Sequence, residues 1–538
     1  KQESKQEEIQ PMSQIRKPAN HFSRRTFLQG SLTAGALFGL AACVPAQPPA
    51  QPVEMTDPSA VDTSGGTLRL AHNLNLSGRE SLDPHIRDSF RAVNDLLYGR
   101  LTRYSVAGLD AELAESWEAN EDGTEWIFHL RDGVTFHDGK PFTAQDVIYS
   151  FRRVADPELR SGLVTFLAPV DMDGLEALDD RTLRVPMTRP YADFPLVGPA
   201  GVPIIADGSG DTVATTGNGT GPFKLENLDV EGTSVLVANE SYWGGPPKLA
   251  RMEFSAIADG DARVNALLAG QIDYANIISQ TQSPLIESNP DYIFEIASGP
   301  LDFSYFLVMH TQMAPFDDVR VRKAMKLVVD RALMLETAAQ GNGQIAFDHL
   351  IYPGDPLAYT VEPAFDVEEA KALLAEAGYP DGLDVTLHTS SGFDLFMPIA
   401  ITYKEMAAAA GINITIEDYP ADSYWTQAFM QTPLFSSFTI SPSTPVMLEL
   451  AYRPDGFLNE SLWESEEAVQ LLDEAFAEMD AEKRADMYRE VQRLAQEEGG
   501  HIVPFFAGVG RAFHKSVKGL TPNSAAIDWA QVYIDPSA

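Results

Sequence analysis

Cysteine is almost missing: there is one, Cys43, in 538 residues. A lone thiol excludes an internal disulfide and any zinc site built on cysteines. Histidine is sparse as well, ten in all, and scattered. No His-Glu-x-x-His and no close pair on one helical face is present, so no metal site and no cofactor are expected. Basic charge is short, with 39 Lys plus Arg against 77 Asp plus Glu, or 39 − 77 = −38. Such a surface repels nucleic-acid phosphates and disfavours docking on anionic lipid. It reads as a solvated, salt-tolerant exterior, with an acidic cleft for a cationic ligand as the alternative.

Catalytic motifs are missing too. There is no Gly-x-Ser-x-Gly elbow, and carboxylates are too abundant to single out a glycosidase pair. The glycine-rich stretch Asp207 to Gly221 lacks the Gly-Lys-Ser/Thr ending of a phosphate loop and the alternating carboxylates of a calcium loop. It reads as a flexible connection. No catalytic residue is expected.

A long apolar run is also wanting. Phe27 to Ala42 contains Gln29, Ser31, Thr33 and three glycines, too short and too polar for the roughly 20 residues of a spanning helix. Arg16, Lys17, Arg24 and Arg25 precede it, the layout of an export signal. Ser23-Arg-Arg-Thr-Phe-Leu28 resembles the twin-arginine box that exports folded proteins. Leu40-Ala-Ala-Cys43 resembles a bacterial lipobox, which implies an acyl anchor on Cys43 and a periplasmic or other extracytoplasmic address. Met12 is the expected start, and residues 1–64 are read as signal and linker.

The remainder is too long for one core, so two or three lobes are expected. Strand patterns cover Gly65 to Ala71, Trp126 to Arg131, Val134 to His137, Leu236 to Ala238, Met252 to Ile257 and Phe303 to Met309. Thr143 with Asp146 starts a helix. Further helices are expected over Asn94 to Leu101, Asp261 to Ala269, Asp318 to Thr337, Val367 to Ala377, Phe396 to Ala410 and Glu466 to Glu498, the last broken near Asp480. Strands Asp384 to His388 and Ile412 to Glu417 flank one of these, a βαβ rhythm that predicts a mostly parallel sheet and an α/β class.

Six blocks in order carry a resemblance. They are Glu115 to Val147, Gly219-Thr-Gly-Pro-Phe-Lys-Leu225, Asn239-Glu-Ser-Tyr-Trp-Gly244, Arg263 to Asp273, Pro315 to Met325 with Asp330-Arg331, and Phe365 to Tyr379. From about Gly65 onward the chain is similar to the extracytoplasmic solute-binding proteins of the peptide/nickel class (family 5, oligopeptide- and dipeptide-binding-like), which serve ABC importers. The resemblance implies a two-lobed periplasmic-binding-protein fold of class II type, with an inserted small domain and a ligand cleft closed by hinge motion. On this basis lobe I is expected at 65–90, 178–297 and 500–538, the insertion at 91–177 and lobe II at 298–499. The expected partners are ABC permease subunits and a peptide or small-molecule ligand, and the expected state is a monomer.

Family position places Ser77, Gly78, Arg79 and Glu80 at the first-lobe side of the cleft. It places Leu301, Asp302, Phe303 and Tyr305 on a hinge strand, and Tyr424 and Trp425 on the second lobe. Each has a plainer reading, since Tyr305 and Trp425 suit a core equally well. Peptide-binding members often hold the ligand amine with an Asp in a Trp-x-x-Asp-like stretch. The corresponding Ser437 to Val446 has neither Trp nor Asp, so an opine, modified amino acid or oligosaccharide stands beside peptide as ligand. An exported hydrolase on a similar frame is the enzymatic alternative.

Overall fold

The computed structural model describes residues 65–72, 81–86, 89, 91–105, 108–257, 259–297, 299, 302–441, 443–521 and 527–538. Val61–Ala538 forms one compact unit containing two large sheets.

The first sheet has seven strands, in the order Tyr292–Ala297, Val509–His514, Tyr274–Asn276, Thr67–His72, Arg251–Ala256, Thr233–Ala238 and Phe223–Asn227. Thr67–His72 runs parallel to both its neighbours. The second sheet has six, in the order Gln344–Ile345, His501–Ala507, Phe303–Met309, Leu434–Ile440, Leu383–Thr389 and Ile412–Asp418. This sheet is mixed, which corrects the mostly parallel expectation. Leu383–Thr389 pairs in parallel with Ile412–Asp418 and meets Leu434–Ile440 in parallel at His388 and Phe435. The other pairs are antiparallel. The reason is that Phe303–Met309 enters the lobe and His501–Ala507 leaves it, so the two run in opposite directions side by side.

These strands form the hinge. Ala297 pairs with Val509 in the first sheet, and Phe303 pairs with Ala507 in the second. Two adjacent chain segments therefore cross between the lobes. His501–Ala507 belongs to the second sheet, so the expected boundary at 500 moves to the step between Ala507 and Val509.

A four-stranded antiparallel sheet makes the small domain: Ala114–Ala119, Glu125–Leu130, Thr182–Pro186 and Glu176–Asp179. Thr182–Pro186 pairs directly with Glu125–Leu130, so the expected cut at 177 falls inside this sheet. The second expected strand, Val134 to His137, reduces to one bridge between Thr135 and Pro141. The Asp138-Gly139 turn closes it at once, with Phe136 N–H donating to Lys140 O at 2.8 Å. Arg91–Leu97 is the first helix, ending four residues before the expectation. The next helix, Ala144–Ala155, is capped as expected, since Asp146 accepts from Thr143 N–H at 2.8 Å and from its hydroxyl at 3.0 Å.

The predicted helix Asp318 to Thr337 is two helices, Val319–Leu327 and Arg331–Ala339. Asp330 interrupts it by accepting from Leu333 N–H at 3.0 Å, because an aspartate there caps a new helix better than it continues an old one. Asp480 divides Glu466–Ala477 from Ala481–Glu498 in the same way, capping Glu482 and Lys483 N–H.

Candidate functional site

The second sheet aims one end at the first lobe. Open α/β sheets bind ligands beyond the carboxyl ends of their parallel strands. Here those ends are Thr389 and Asp418, and the segments after them carry Phe393, Asp394, Phe396, Tyr419, Tyr424 and Trp425. Phe303 and Tyr305 of the hinge strand and Phe438 of its neighbour complete the group.

The rings form one wall. Phe438 lies 5.6 Å from Phe303, 6.0 Å from Tyr305 and 5.9 Å from Trp425. Phe393 lies 5.2 Å from Trp425 and 5.0 Å from Phe396. Such spacings are those of favourable edge and tilted pairs. Strand alternation explains Phe303 and Tyr305 sharing a face, and Tyr305 sits opposite Phe438 in register.

Tyr424 and Trp425 are neighbours with different places. Tyr424 is fully buried, and its hydroxyl donates to Ser436 O at 2.5 Å. It backs the wall. Trp425 is 38% exposed, and its ring fronts the wall over Phe393 and Phe429.

Asp302 is buried, and its Oδ1 accepts from Gly299 N–H at 2.9 Å, bracing the crossing segment. Ser77, Gly78, Arg79, Glu80 and Leu301 lie outside the described residues, as does Cys43.

Across the hinge, Arg263 of the first lobe donates to the carbonyls of Ile257 at 2.9 Å and Ile277 at 2.7 Å. Burial lowers its guanidinium, and the carboxylates of Asp259 and Asp394 oppose that. Asp394 also adds to the burial that pushes the Tyr305 phenol up. One carboxylate of the second lobe thus lies in electrostatic reach of both the wall and the first lobe. The Asn342 amide donates to Gln280, a direct bond between the lobes.

The conspicuous sequence blocks hold the scaffold together. His137 N–H donates to Gly219 O at 2.9 Å, and its ring meets Gly221 O at 3.1 Å. A Cβ on Gly219 would lie 2.0 Å from Leu97 O, so only glycine fits that approach. The Asp207 to Gly221 stretch is accordingly tied down, and it contains the short helix Val213–Thr216.

Phe393, Asp394, Phe396, Tyr419 and Phe438 escaped the sequence reading. Their signal was position, at or beside the carboxyl ends of the strands. Among the described residues no group of three or more His, Cys, Asp or Glu is placed to hold a metal. Among them, too, no helix is long and apolar enough to cross a membrane.

Comparison with known proteins agrees with this architecture. The family described as bacterial extracellular solute-binding proteins, family 5 Middle, matches residues 108–457. Heme-binding protein A of Haemophilus influenzae is 28% identical over 482 residues, 82% of this chain and 87% of that protein. The periplasmic oligopeptide-binding protein OppA of Salmonella typhimurium is 27% identical over 477 residues, 79% of this chain and 85% of that one. The periplasmic binding protein DppA of Helicobacter pylori, solved with the peptide STSA, superposes with a TM-score of 0.74 at 23% identity, covering 88% of this chain and 99% of that one.

Proposed function

The chain belongs to the bacterial extracellular solute-binding proteins of family 5, and from that premise we propose that it captures a peptide or peptide-like solute for an ABC importer. The observation that carries this reading is the hinge. Two adjacent crossing segments join the sheets, and the aromatic wall begins on one of them at Phe303. Rotation about such a pair opens and closes the space in front of the wall without disturbing either sheet. Closure expels water from the rings and from the polar groups around the ligand. Micromolar binding, about −8 kcal/mol, suffices for capture and leaves release to the permease easy.

The wall supplies surface for side chains, and the matching family is one of solute-binding proteins, which supports binding as the chain's role. The relatives include a protein named for oligopeptides, which supports the peptide class. The absence of Trp and Asp from Ser437 to Val446 means that the ligand amine is held differently here, if the ligand has one. The sole cysteine after Arg24-Arg25 and a short apolar run supports export in the folded state and acylation at Cys43, with the protein acting as a monomer at the outer face of the membrane.

The test is thermal shift and small-angle scattering of the purified chain against a library of di- to pentapeptides. A member that raises Tm and shrinks the radius of gyration is expected. A library without any such member would overturn the peptide reading.

A further inference from the structure

Asp394 stands apart from the other acids near the wall. Asp418 is engaged, accepting from Ser391 N–H and from its hydroxyl, each at 2.8 Å. Glu417 accepts from the Tyr419 hydroxyl at 2.8 Å and lies 3.4 Å from His388 Nδ1. Asp302 bonds to Gly299 within its own segment. The Asp394 side chain is exposed and accepts no hydrogen bond among the described residues, and its carboxylate lies within electrostatic reach of the Arg263 guanidinium and the Tyr305 phenol. It sits between Phe393 and Phe396, two rings of the wall.

The rings beside it are also available. Trp425 is 38% exposed, and Phe393, Phe303 and Phe438 are each partly exposed. Aromatic faces are negative at the centre and attract organic cations, Trp most strongly. A carboxylate at the rim adds a full charge of the same sign. Arg263 across the hinge acts on that carboxylate from a buried position, its N–H groups donating to the carbonyls of Ile257 and Ile277, so its charge offsets part of the rim's and leaves the exposed side of Asp394 to a ligand. Net charge of −38 sets a background of the same sign.

We propose that Asp394 and the Trp425–Phe393–Phe438 face form a subsite for an organic cation, an ammonium or guanidinium carried next to a flat or apolar group. The inference rests on the solute-binding reading and names the chemistry of one end of the ligand. The rings take the apolar body, and the carboxylate faces the charge from the rim. A neutral ligand of the same shape gains the ring contact and forgoes the charge, whereas an anionic ligand meets repulsion from Asp394.

The experiment uses the full chain and three probes that share a benzyl body: benzyltrimethylammonium, benzyl alcohol and phenylacetate. Tryptophan fluorescence and calorimetry measure each Kd in wild type, Asp394→Asn and Trp425→Leu, with Tm recorded for every variant. Benzyltrimethylammonium is expected to bind about tenfold tighter than benzyl alcohol, with phenylacetate weakest. Asp394→Asn is expected to remove most of the preference for the cation, leave benzyl alcohol unchanged and leave Tm unchanged. Trp425→Leu is expected to weaken both. Equal binding of cation and alcohol, a preference for phenylacetate, no binding of any probe, or a preference that survives Asp394→Asn would each overturn the subsite. The peptide library answers separately. A peptide that closes the lobes but binds equally well when its amino and guanidino groups are acetylated leaves the transport reading standing and removes this one.

Discussion

The Tyr488 hydroxyl donates to the Asp193 carboxylate at 2.6 Å, across 295 residues of chain. Arg484 Nε lies 3.1 Å from the same carboxylate, and Ala192 N–H donates to Phe476 O at 2.7 Å. The loop after the small sheet is thereby tied to the helical pair Glu466–Ala477 and Ala481–Glu498 of the second lobe. The same small domain is tied to the first lobe through His137 and Gly219. Burial raises the Asp193 carboxyl, and Arg484 and then Tyr488 pull it back. Asp193→Ala is expected to leave an arginine and a phenol unpaired and to cost about 2–4 kcal/mol. Tyr488→Phe should cost about 1 kcal/mol. Urea denaturation measures both, and equal small losses would show that the pair is not a brace.

Glu460 is buried beside Ser437, and burial pushes its carboxyl up to about 8. A carboxyl raised above its unfolded value contributes stability that is full below the unfolded pKa, near 4.5, and is lost as pH rises through 8. Glu460→Gln is therefore expected to match wild type near pH 4.5 and to exceed it near pH 8 by on the order of 1–3 kcal/mol. Denaturant midpoints at the two pH values decide it. A variant weaker than wild type at pH 8 would contradict the assignment.

His137 and His349 are buried, and burial lowers both rings to about 4 from an ordinary 6.5. His501 falls further, to about 3. The unfolded chain protonates these rings below 6.5 while the folded chain resists. Their contribution is full above pH 6.5 and declines as pH falls toward 4. Replacing His349 by Gln should flatten the acid limb of a Tm-against-pH curve between 6.5 and 4. An unchanged slope would mean that the ring is not held neutral.

Tyr424 and Trp425 predict opposite outcomes for adjacent substitutions. Tyr424→Ala empties a fully buried site and should cost about 3–5 kcal/mol. Trp425→Ala removes a partly exposed ring and should cost about 1 kcal/mol or less, while weakening any peptide that closes the lobes. Comparing Tm and Kd for the two variants tests which residue is core and which is surface for the ligand.

Gly219→Ala puts a methyl 2.0 Å from the Leu97 carbonyl oxygen, which backbone cannot yield cheaply. A loss of about 1–3 kcal/mol is expected. Stability unaltered within error would mean that the Gly-Thr-Gly-Pro turn is looser than its packing indicates.

Export and anchoring have their own test. Cys43→Ser should release a soluble extracytoplasmic form, and Arg24→Lys with Arg25→Lys should hold the protein in the cytoplasm. Cell fractionation reads both, and unchanged localisation in both variants would remove the export and anchor reading.

Local chemistry was legible in the sequence. Thr143 with Asp146, Asp330 and Asp480 each act over three residues, so their helix starts can be found without knowing the fold, although apolar spacing alone runs through Asp330 as one long helix. The His137 and Gly219 blocks were legible as motifs but not as partners. Their meeting is a contact between positions 82 residues apart, and nothing in either block states it. The wall was partly legible. Phe303, Tyr305, Tyr424 and Trp425 were reached through family position, whereas Phe393, Asp394 and Phe438 were not.

What the sequence determined by itself is the class of object: an acidic, nearly cysteine-free α/β chain with six blocks of one family. Those features depend on composition and on neighbours along the chain. What only the tertiary structure decided is the direction of the strands in the second sheet, the step of the hinge at Ala507 to Val509, and the assembly of the wall. The wall draws on segments near 303, 393, 424 and 438, and strand pairing over more than a hundred residues brings them to one face. Side-chain burial then separates Tyr424 from Trp425, a distinction that residue type and sequence position cannot make.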